Sequence, residues 1–394
     1  MTRPPITGDQ RFVKSINRNV LLRLLLDEPA LSRAALAERS GLTKSTVSLL
    51  VQELIDEGWL CEREITVSGS IGRRPTPLQL DADRLALMGA EIGVDYLNVV
   101  ACNLRGDLLD SRMQAFEHAD LPRTLQALAR MVAEQHKALR KQGRRALGLG
   151  VGIPGTVDAR GERIGVMPNL AWHDREIHAP LAQALAKAGV QEVPATVLNE
   201  ANAAALSEYV FGTDHAFDSL VYLSIGIGLG GGIVLGDRLH LGHDGAAGEV
   251  GHTILQLDGP LCRCGAHGCA ESFVSQRAVS LDLTGAASPI LPMGELLRRL
   301  QAGDAAVLQA VQRAGRYLGM LMHNLCNTID PAVIVLGGPM GQLGEPFFEA
   351  ARASFEGMRG RYHFHTTTVR QCRFGLNACA VGAAGAVLHQ ALLG

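Results

Sequence analysis

Aromatic side chains are scarce in this chain of 394 residues, at 4% with only 2 Trp and 5 Tyr, so its interior has to be built from aliphatic groups. Net charge is nearly absent as well, −2 at pH 7. No global field therefore draws the chain to nucleic acid or to an anionic surface. The first 80 residues carry 11 Lys/Arg against 9 Asp/Glu, an asymmetry so mild that any nucleic-acid role must rest on motif and geometry. No apolar run of about 18 residues is evident, so neither a membrane span nor a membrane partner is expected. The opening segment MTRPPITGDQRF lacks the apolar stretch of a secretory signal. Five of the eight cysteines (Cys61, Cys102, Cys326, Cys372, Cys379) stand singly in apolar surroundings. Such thiols fit a reducing cytoplasm and exclude a disulfide scaffold.

What is present is a chain long enough for two or three domains, 47% hydrophobic with 45 glycines, able to form a large, turn-rich core. The other three cysteines fall within eight residues as C-x-C-x4-C, at Cys262, Cys264 and Cys269, with His252 ten residues upstream. Gly265 and Gly268 let the backbone fold back between the thiols. Three thiolates and one imidazole suit a tetrahedral, structural Zn²⁺. His243 and His267 compete with His252 as the fourth ligand. Two carboxylates, Glu249 and Glu271, bracket this knuckle. Each is a candidate acceptor for a polyol hydroxyl, or else a partner of the metal-bound histidine or a solvated charge.

Residues 1–82 read as one domain. Val13, Ile16, Val20, Leu21 and Leu24 fall at helical spacing within residues 11–26, and Pro29 ends that helix. Ser32 offers an N-cap for a helix from Arg33 to Ser40, closed by Gly41. Thr43 caps a third helix, Lys44 to Glu57, with Val47, Leu50, Val51 and Leu54 facing inward. Helix, glycine turn, capped helix is the helix-turn-helix pattern. Lys44, Ser45, Thr46 and Ser48 at the third helix's start can donate to phosphates or base edges. A hairpin then carries Gly72-Arg73-Arg74-Pro75 at its tip, a cationic wing suited to a minor groove through Arg73 and Arg74. Double-stranded operator DNA is the expected partner, with a homodimer or homotetramer reading paired half-sites.

From residue 83 to 394 the pattern is α/β. ALMGAEIGV, YLNVVACNL and LLDSRM predict a meander, followed by a helix over Leu121 to Lys141 and the buried strand ALGLGVGIP. SLVYLSIGIGLGGGIVLGDRLHLG repeats the strand, glycine turn and strand, which points to a duplicated body with a cleft between two lobes.

Taken together, Glu249-Val-Gly-His252 and Cys262-Arg-Cys264-Gly-Ala-His-Gly-Cys269-Ala-Glu271 resemble the signature of the ROK family of repressors and sugar kinases. Gly152-Ile-Pro-Gly-Thr-Val-Asp158, Asn169-Leu-Ala-Trp172 and Asn199-Glu-Ala-Asn202 are similar to further family landmarks. The resemblance implies a winged helix-turn-helix head on an actin-like, ribonuclease H-like sugar-kinase body. It also implies a histidine that ligates zinc through one ring nitrogen and meets a monosaccharide with the other. The implied sugar contacts are Asn169, Asn199, Glu200, Glu249, His252 and Glu271, and the implied zinc ligands His252, Cys262, Cys264 and Cys269. The kinases of the family carry D-x-G-G-T-K where this chain reads Glu91-Ile-Gly93-Val-Asp95-Tyr96, and an aspartate base where it has Glu200. Phosphoryl transfer depends on a preorganised phosphate cradle and a placed base. Loss of both predicts a cytoplasmic, sugar-responsive repressor that is not an enzyme. The Glu200 variant resembles the family's xylose-operon repressors, which makes D-xylose the expected inducer. The alternatives are an ATP-dependent sugar kinase with an appended head, and a repressor controlled by a protein partner.

Overall fold

Local capping chemistry sets the first elements. The computed structural model describes residues 10–63, 76–117, 120–167, 170, 172–212, 217–285, 289–358 and 366–393. Three helices open it: α1 (Gln10–Asp27), α2 (Arg33–Ser40) and α3 (Lys44–Asp56). Ser32 Oγ accepts from Ala35 N, Gly41 ends α2 with φ 70°, and Thr43 accepts from Thr46 N. Val47, Leu50, Val51 and Leu54 are buried, as the spacing predicts. The inner face of α1 meets expectation at Leu21 but departs from it along the first half of the helix. Leu21, Leu22 and Leu25 are buried, whereas Val13 is 50% and Ile16 44% exposed. In its first half the helix reaches α3 through ion pairs, Lys14 with Glu53 and Arg18 with Glu53 and Glu57, while Val13 and Ile16 stay in solvent. β1 (Leu60–Glu62) pairs antiparallel with β2 (Leu78–Leu80), the base of the expected hairpin. Its tip, with Arg73 and Arg74, lies outside the described residues.

The body is two lobes of one design. Lobe one holds β3 (Leu85–Ile92), β4 (Tyr96–Cys102), β5 (Leu108–Ala115), α4 (Leu121–Lys141) and β6 (Arg145–Ile153). A small hairpin, β7 (Arg163–Met167) with β8 (Trp172–Glu176), precedes α5 (His178–Lys187) and β9 (Ala195–Asn199). After α6 (Glu200–Phe211), lobe two begins with β10 (Ser219–Ile225), β11 (Leu229–Leu235) and β12 (Arg238–Leu239). Next come α7 (Glu271–Val274), α8 (Gln276–Thr284), α9 (Met293–Gln301), α10 (Ala305–Ile329), β13 (Val333–Gly337) and α11 (Glu345–Met358). β14 (Thr368–Gln371) and α12 (Ala378–Leu393) complete the chain.

The sheets run β5-β4-β3-β6-β9 and β12-β11-β10-β13-β14, each an antiparallel meander extended by two parallel strands. The duplicated α/β design is therefore present strand for strand. Between the lobes lie α6 and α12, in backbone contact: a Cβ on Gly382 would sit 1.7 Å from Ala203 O. Gly375–Leu392 forms the one described helical stretch long and apolar enough to cross a membrane by length and composition. This corrects the expectation that the sequence contains no such run. Ala380, Val381, Ala383, Ala384 and Leu388 of that helix are buried inside the protein, which accounts for their hydropathy. Leu21, Leu22 and Leu25 of α1 share one apolar cluster with Ala384 and Leu388 of α12, so the head is seated on the interlobe helix.

Candidate functional site

The knuckle is a pair of tight reversals. Ile254 bridges to Cys269 and Leu261 to His267, while Cys262 N donates to Ala266 O at 2.8 Å. Gly268 (φ 73°) lies so close to the preceding loop that a Cβ would fall 1.6 Å from Gln256 O. Only glycine fits there. The fold brings His252, Cys262, Cys264 and Cys269 together with their ligand atoms all within 4.8 Å of one another, a group able to hold a metal ion. Cys262 Sγ is 3.7 Å from His252 Nδ1, and Cys264 Sγ 3.7 Å from Cys269 Sγ. The open choice of histidine resolves geometrically: His267 Nδ1 is engaged by Gly259 O at 3.1 Å, and His243 is exposed beside Asp244.

The two carboxylates flanking the knuckle differ in what they do. Glu249 Oε2 stands 3.7 Å from His252 Nε2, the ring nitrogen turned away from the cysteines. Burial raises the Glu249 carboxyl, His252 opposes the shift and Glu271 adds to it. Glu271, at the start of α7, accepts from Leu229 N at 2.9 Å and lies against Gly228. It thereby fixes the β10–β11 turn.

That turn forms one wall of an interlobe cleft of about 490 Å³, whose other walls include Glu91, Tyr96, Glu200, Gln276 and Cys379. Glu200 begins α6, and burial pushes its carboxyl up to about 7. Burial pushes Glu91 up to about 8, with the Glu200 charge adding and the hydrogen bond from Tyr96 opposing. Tyr96 Oη donates to Glu91 Oε1 at 2.6 Å, and its ring covers the turn backbone, where a Cβ on Gly93 would meet Tyr96 Cε1 at 2.3 Å. Asp95 of the same turn is exposed; the buried acid is Glu91 and the filling group is Tyr96. Carboxyls titrating near neutrality can both donate to and accept from ligand hydroxyls.

Asn199 is largely engaged within the protein. Its Oδ1 accepts from Ala201 N and Asn202 N, and its Nδ2 donates to Gly155 O at 2.7 Å. It caps α6 and so positions Glu200. Asn169 lies outside the described residues.

On the head, Lys44, Ser45 and Ser48 are exposed and Thr46 half-buried. Ser45 Oγ and Thr46 Oγ1 lie 3.0 and 2.9 Å from Thr43 Oγ1, clustering three hydroxyls at the positive end of α3. Leu49, 61% exposed beside them, escaped the sequence reading. An apolar group next to hydroxyl and ammonium donors suits a major groove edge, where thymine presents a methyl.

The body from residue 87 to 390 matches the ROK family. The chain belongs to that family. Residues 16–60 of this ROK protein match the winged helix-turn-helix DNA-binding family. The xylose repressor of Bacillus subtilis strain 168 is 32% identical over 332 residues, covering 84% of this chain and 83% of its own length. A crystal structure of a ROK family transcriptional regulator, homologous to the Escherichia coli MLC protein, superposes with a TM-score of 0.79. It is 25% identical and covers 97% of this chain and 98% of its own. A ROK glucokinase from Streptomyces griseus, solved with glucose and AMPPNP, matches at a TM-score of 0.64 and 26% identity. It covers 76% of this chain and 98% of its own.

Proposed function

We propose that this ROK protein is a cytoplasmic, D-xylose-induced transcriptional repressor that contains structural zinc, binds operator DNA as a homodimer or homotetramer, and does not phosphorylate its sugar. The observation that carries the reading is Tyr96 packed on Gly93 and bonded to the buried Glu91. A phosphate cradle needs free backbone N–H groups and positive charge; this turn offers an aromatic ring and an acid. Glu200 in place of the family's aspartate moves the carboxylate by about 1 Å, a displacement that can cost roughly 100-fold in rate. The same added length narrows the cleft where a hexose would carry its exocyclic carbon, favouring a pentose.

Zinc fits the knuckle's donor set. Bonds of about 2.3 Å to sulfur and 2.0–2.1 Å to nitrogen give tetrahedral edges of roughly 3.8 and 3.6 Å. The two edges on hand are both 3.7 Å. Bound zinc would supply rigidity rather than chemistry, held by His252 Nδ1, Cys262, Cys264 and Cys269. His252 Nε2 then donates toward Glu249 or a sugar hydroxyl, while Glu200, Glu249 and Glu271 accept. Asn169 belongs to this sugar-binding set through the family resemblance, and Asn199 holds Glu200 in place. Lys44, Ser45, Thr46 and Ser48 would contact the operator, with Arg73 and Arg74 in the adjacent minor groove. The relatives named as xylose repressors support this reading over the kinase one.

Purified protein should bind D-xylose in calorimetric titration more tightly than glucose or N-acetylglucosamine, and should form no sugar phosphate from ATP. Tighter glucose binding would overturn the pentose assignment, and ATP-dependent phosphorylation would restore the kinase. DNA binding indifferent to every sugar would favour control by a protein partner.

A further inference from the structure

The head is held by the two lobes in two different ways. Through the chain and through α3 it belongs to lobe one. Asp81 to Arg84 lead straight into β3, Arg84 Nη1 donates to Ile55 O at 3.2 Å, and Arg145 Nη2 donates to Glu57 O at 3.3 Å. Guanidinium groups are well placed at the carbonyl end of a helix. Through α1, by contrast, the head reaches lobe two. Arg23 Nη1 lies 3.4 Å from Oδ2 of Asp237, in the turn between β11 and β12.

Asp237 collects more than this one partner. Its Oδ1 accepts from Tyr209 Oη near the end of α6, and its backbone carbonyl accepts from His389 Nε2 at 2.9 Å, near the end of α12. The Tyr209 and His389 rings meet edge to face, 5.9 Å between centroids. Gly236 and Asp237 have φ of 53° and 63°, the left-handed pair of a type I′ turn, which fixes where the carboxylate points. Nine residues separate Glu200 from Tyr209, about 14 Å along a helix and half a turn around it. One end of α6 therefore faces the cleft and the other faces the head. Beside Asp237 the contact between α1 and the body is incompletely filled, leaving a cavity of about 200 Å³ edged by Leu26, Phe217, Leu220 and Leu392. An ion pair with side chains 38% and 56% exposed, next to a void, is a contact that opens easily.

We propose that Asp237 is a clasp through which lobe closure is read by the DNA-binding head. The head is anchored to lobe one, and Asp237 rides on lobe two. When the lobes close on a sugar, Asp237 shifts relative to Arg23 and the hold on α1 is released. This rests on the interlobe cleft being the effector site.

Hydrogen exchange on the full-length protein, with and without D-xylose, tests it. Asp237→Asn keeps a residue that tolerates the left-handed turn but removes the charge facing Arg23; Tyr209→Phe removes only a hydroxyl. Without sugar, both variants should speed exchange across Gln10–Asp27 by roughly 5-fold while α4 is unchanged, the loss of a weak clasp. In the wild type, xylose should slow exchange at the start of α6 and in the knuckle and speed it in α1. In Asp237→Asn the first response should persist and the second vanish. Wild-type α1 exchange in both sugar-free variants would overturn the clasp, as would a full α1 response to xylose in Asp237→Asn. Absence of any sugar protection in the wild-type cleft would instead count against the effector reading, and the sugar-free measurements would still decide the clasp.

Discussion

Lobe one and lobe two run through the same strand order, yet their first hairpin turns are put to opposite uses. In lobe one the turn after β3 is closed by the Tyr96 ring and backed by Glu91, whose second oxygen, Oε2, is buried without a partner. In lobe two the matching turn after β10 is Gly226-Ile227-Gly228, and Glu271 holds it from outside through Leu229 N. The cysteine knuckle is grafted onto lobe two alone. A duplicated scaffold thus keeps its topology while its two halves take different chemistry: one side is acidic and filled, the other is rigid and open to hydroxyls. The two halves therefore differ in their turns and in the insertion, while the strand order beneath them is the same.

Breaking the rigid side should have the largest effect. Cys264→Ser leaves three ligands, so zinc should fall well below one per chain and xylose affinity should drop by roughly 10–100-fold as Glu249 and Glu271 lose their frame. Metal analysis alongside calorimetry checks this; a variant with full zinc and unchanged sugar binding would detach the knuckle from the sugar site. The sensing lobes can next be separated from the head. Arg73→Ala should weaken operator binding by about 1–3 kcal/mol and flatten its salt dependence, with sugar affinity untouched. Salt-dependent binding isotherms read both effects.

The filled side offers a pH test. The folded Glu91 carboxyl, at about 8, sits above its ordinary value of 4.5 because of burial. The folded state therefore keeps a proton that the unfolded chain has lost, and stability falls as pH rises between those values. Glu91→Gln has no such proton to give up and still offers Tyr96 an acceptor. Its melting temperature should exceed wild type most at pH 8.5 and least near pH 5, as thermal unfolding across that range would record. A constant offset would mean that Glu91 titrates normally. Smallest of all, Glu200→Asp should narrow the preference for xylose over glucose by up to about 10-fold, the scale of one methylene in a pocket.

Much of this was legible in the sequence where causes are local. Ser32, Gly41 and Thr43 mark helix ends because a cap acts within three residues, and α2 and α4 fall where the sequence places them. The knuckle is readable because C-x-C-x4-C confines its ligands to one short loop. Spacing alone leaves its fourth ligand open among three histidines; the family resemblance implies His252, and the fold groups that residue with the cysteines. The buried face of α1 is legible only in part for a similar reason: Leu21 and Leu24 pack on the core, but helical spacing does not say how far along the helix that packing extends. Asp237 gives no sequence signal at all. Its partner Arg23 is 214 positions away, and a Gly-Asp turn reads only as a hairpin. Tyr96 stands in the sequence as a departure from a phosphate loop, but that its ring fills the turn follows only from the way the β3–β4 hairpin folds it over Gly93.

The most direct measurement is operator affinity as a function of sugar. A duplex selected by the protein from a random pool, carrying a fluorophore, can be titrated by anisotropy with D-xylose, glucose and N-acetylglucosamine. Xylose should weaken binding by a coupling of about 1–3 kcal/mol, with glucose weaker or competing and ATP without effect. Binding unchanged by xylose, or released by a hexose at lower concentration, would contradict the account.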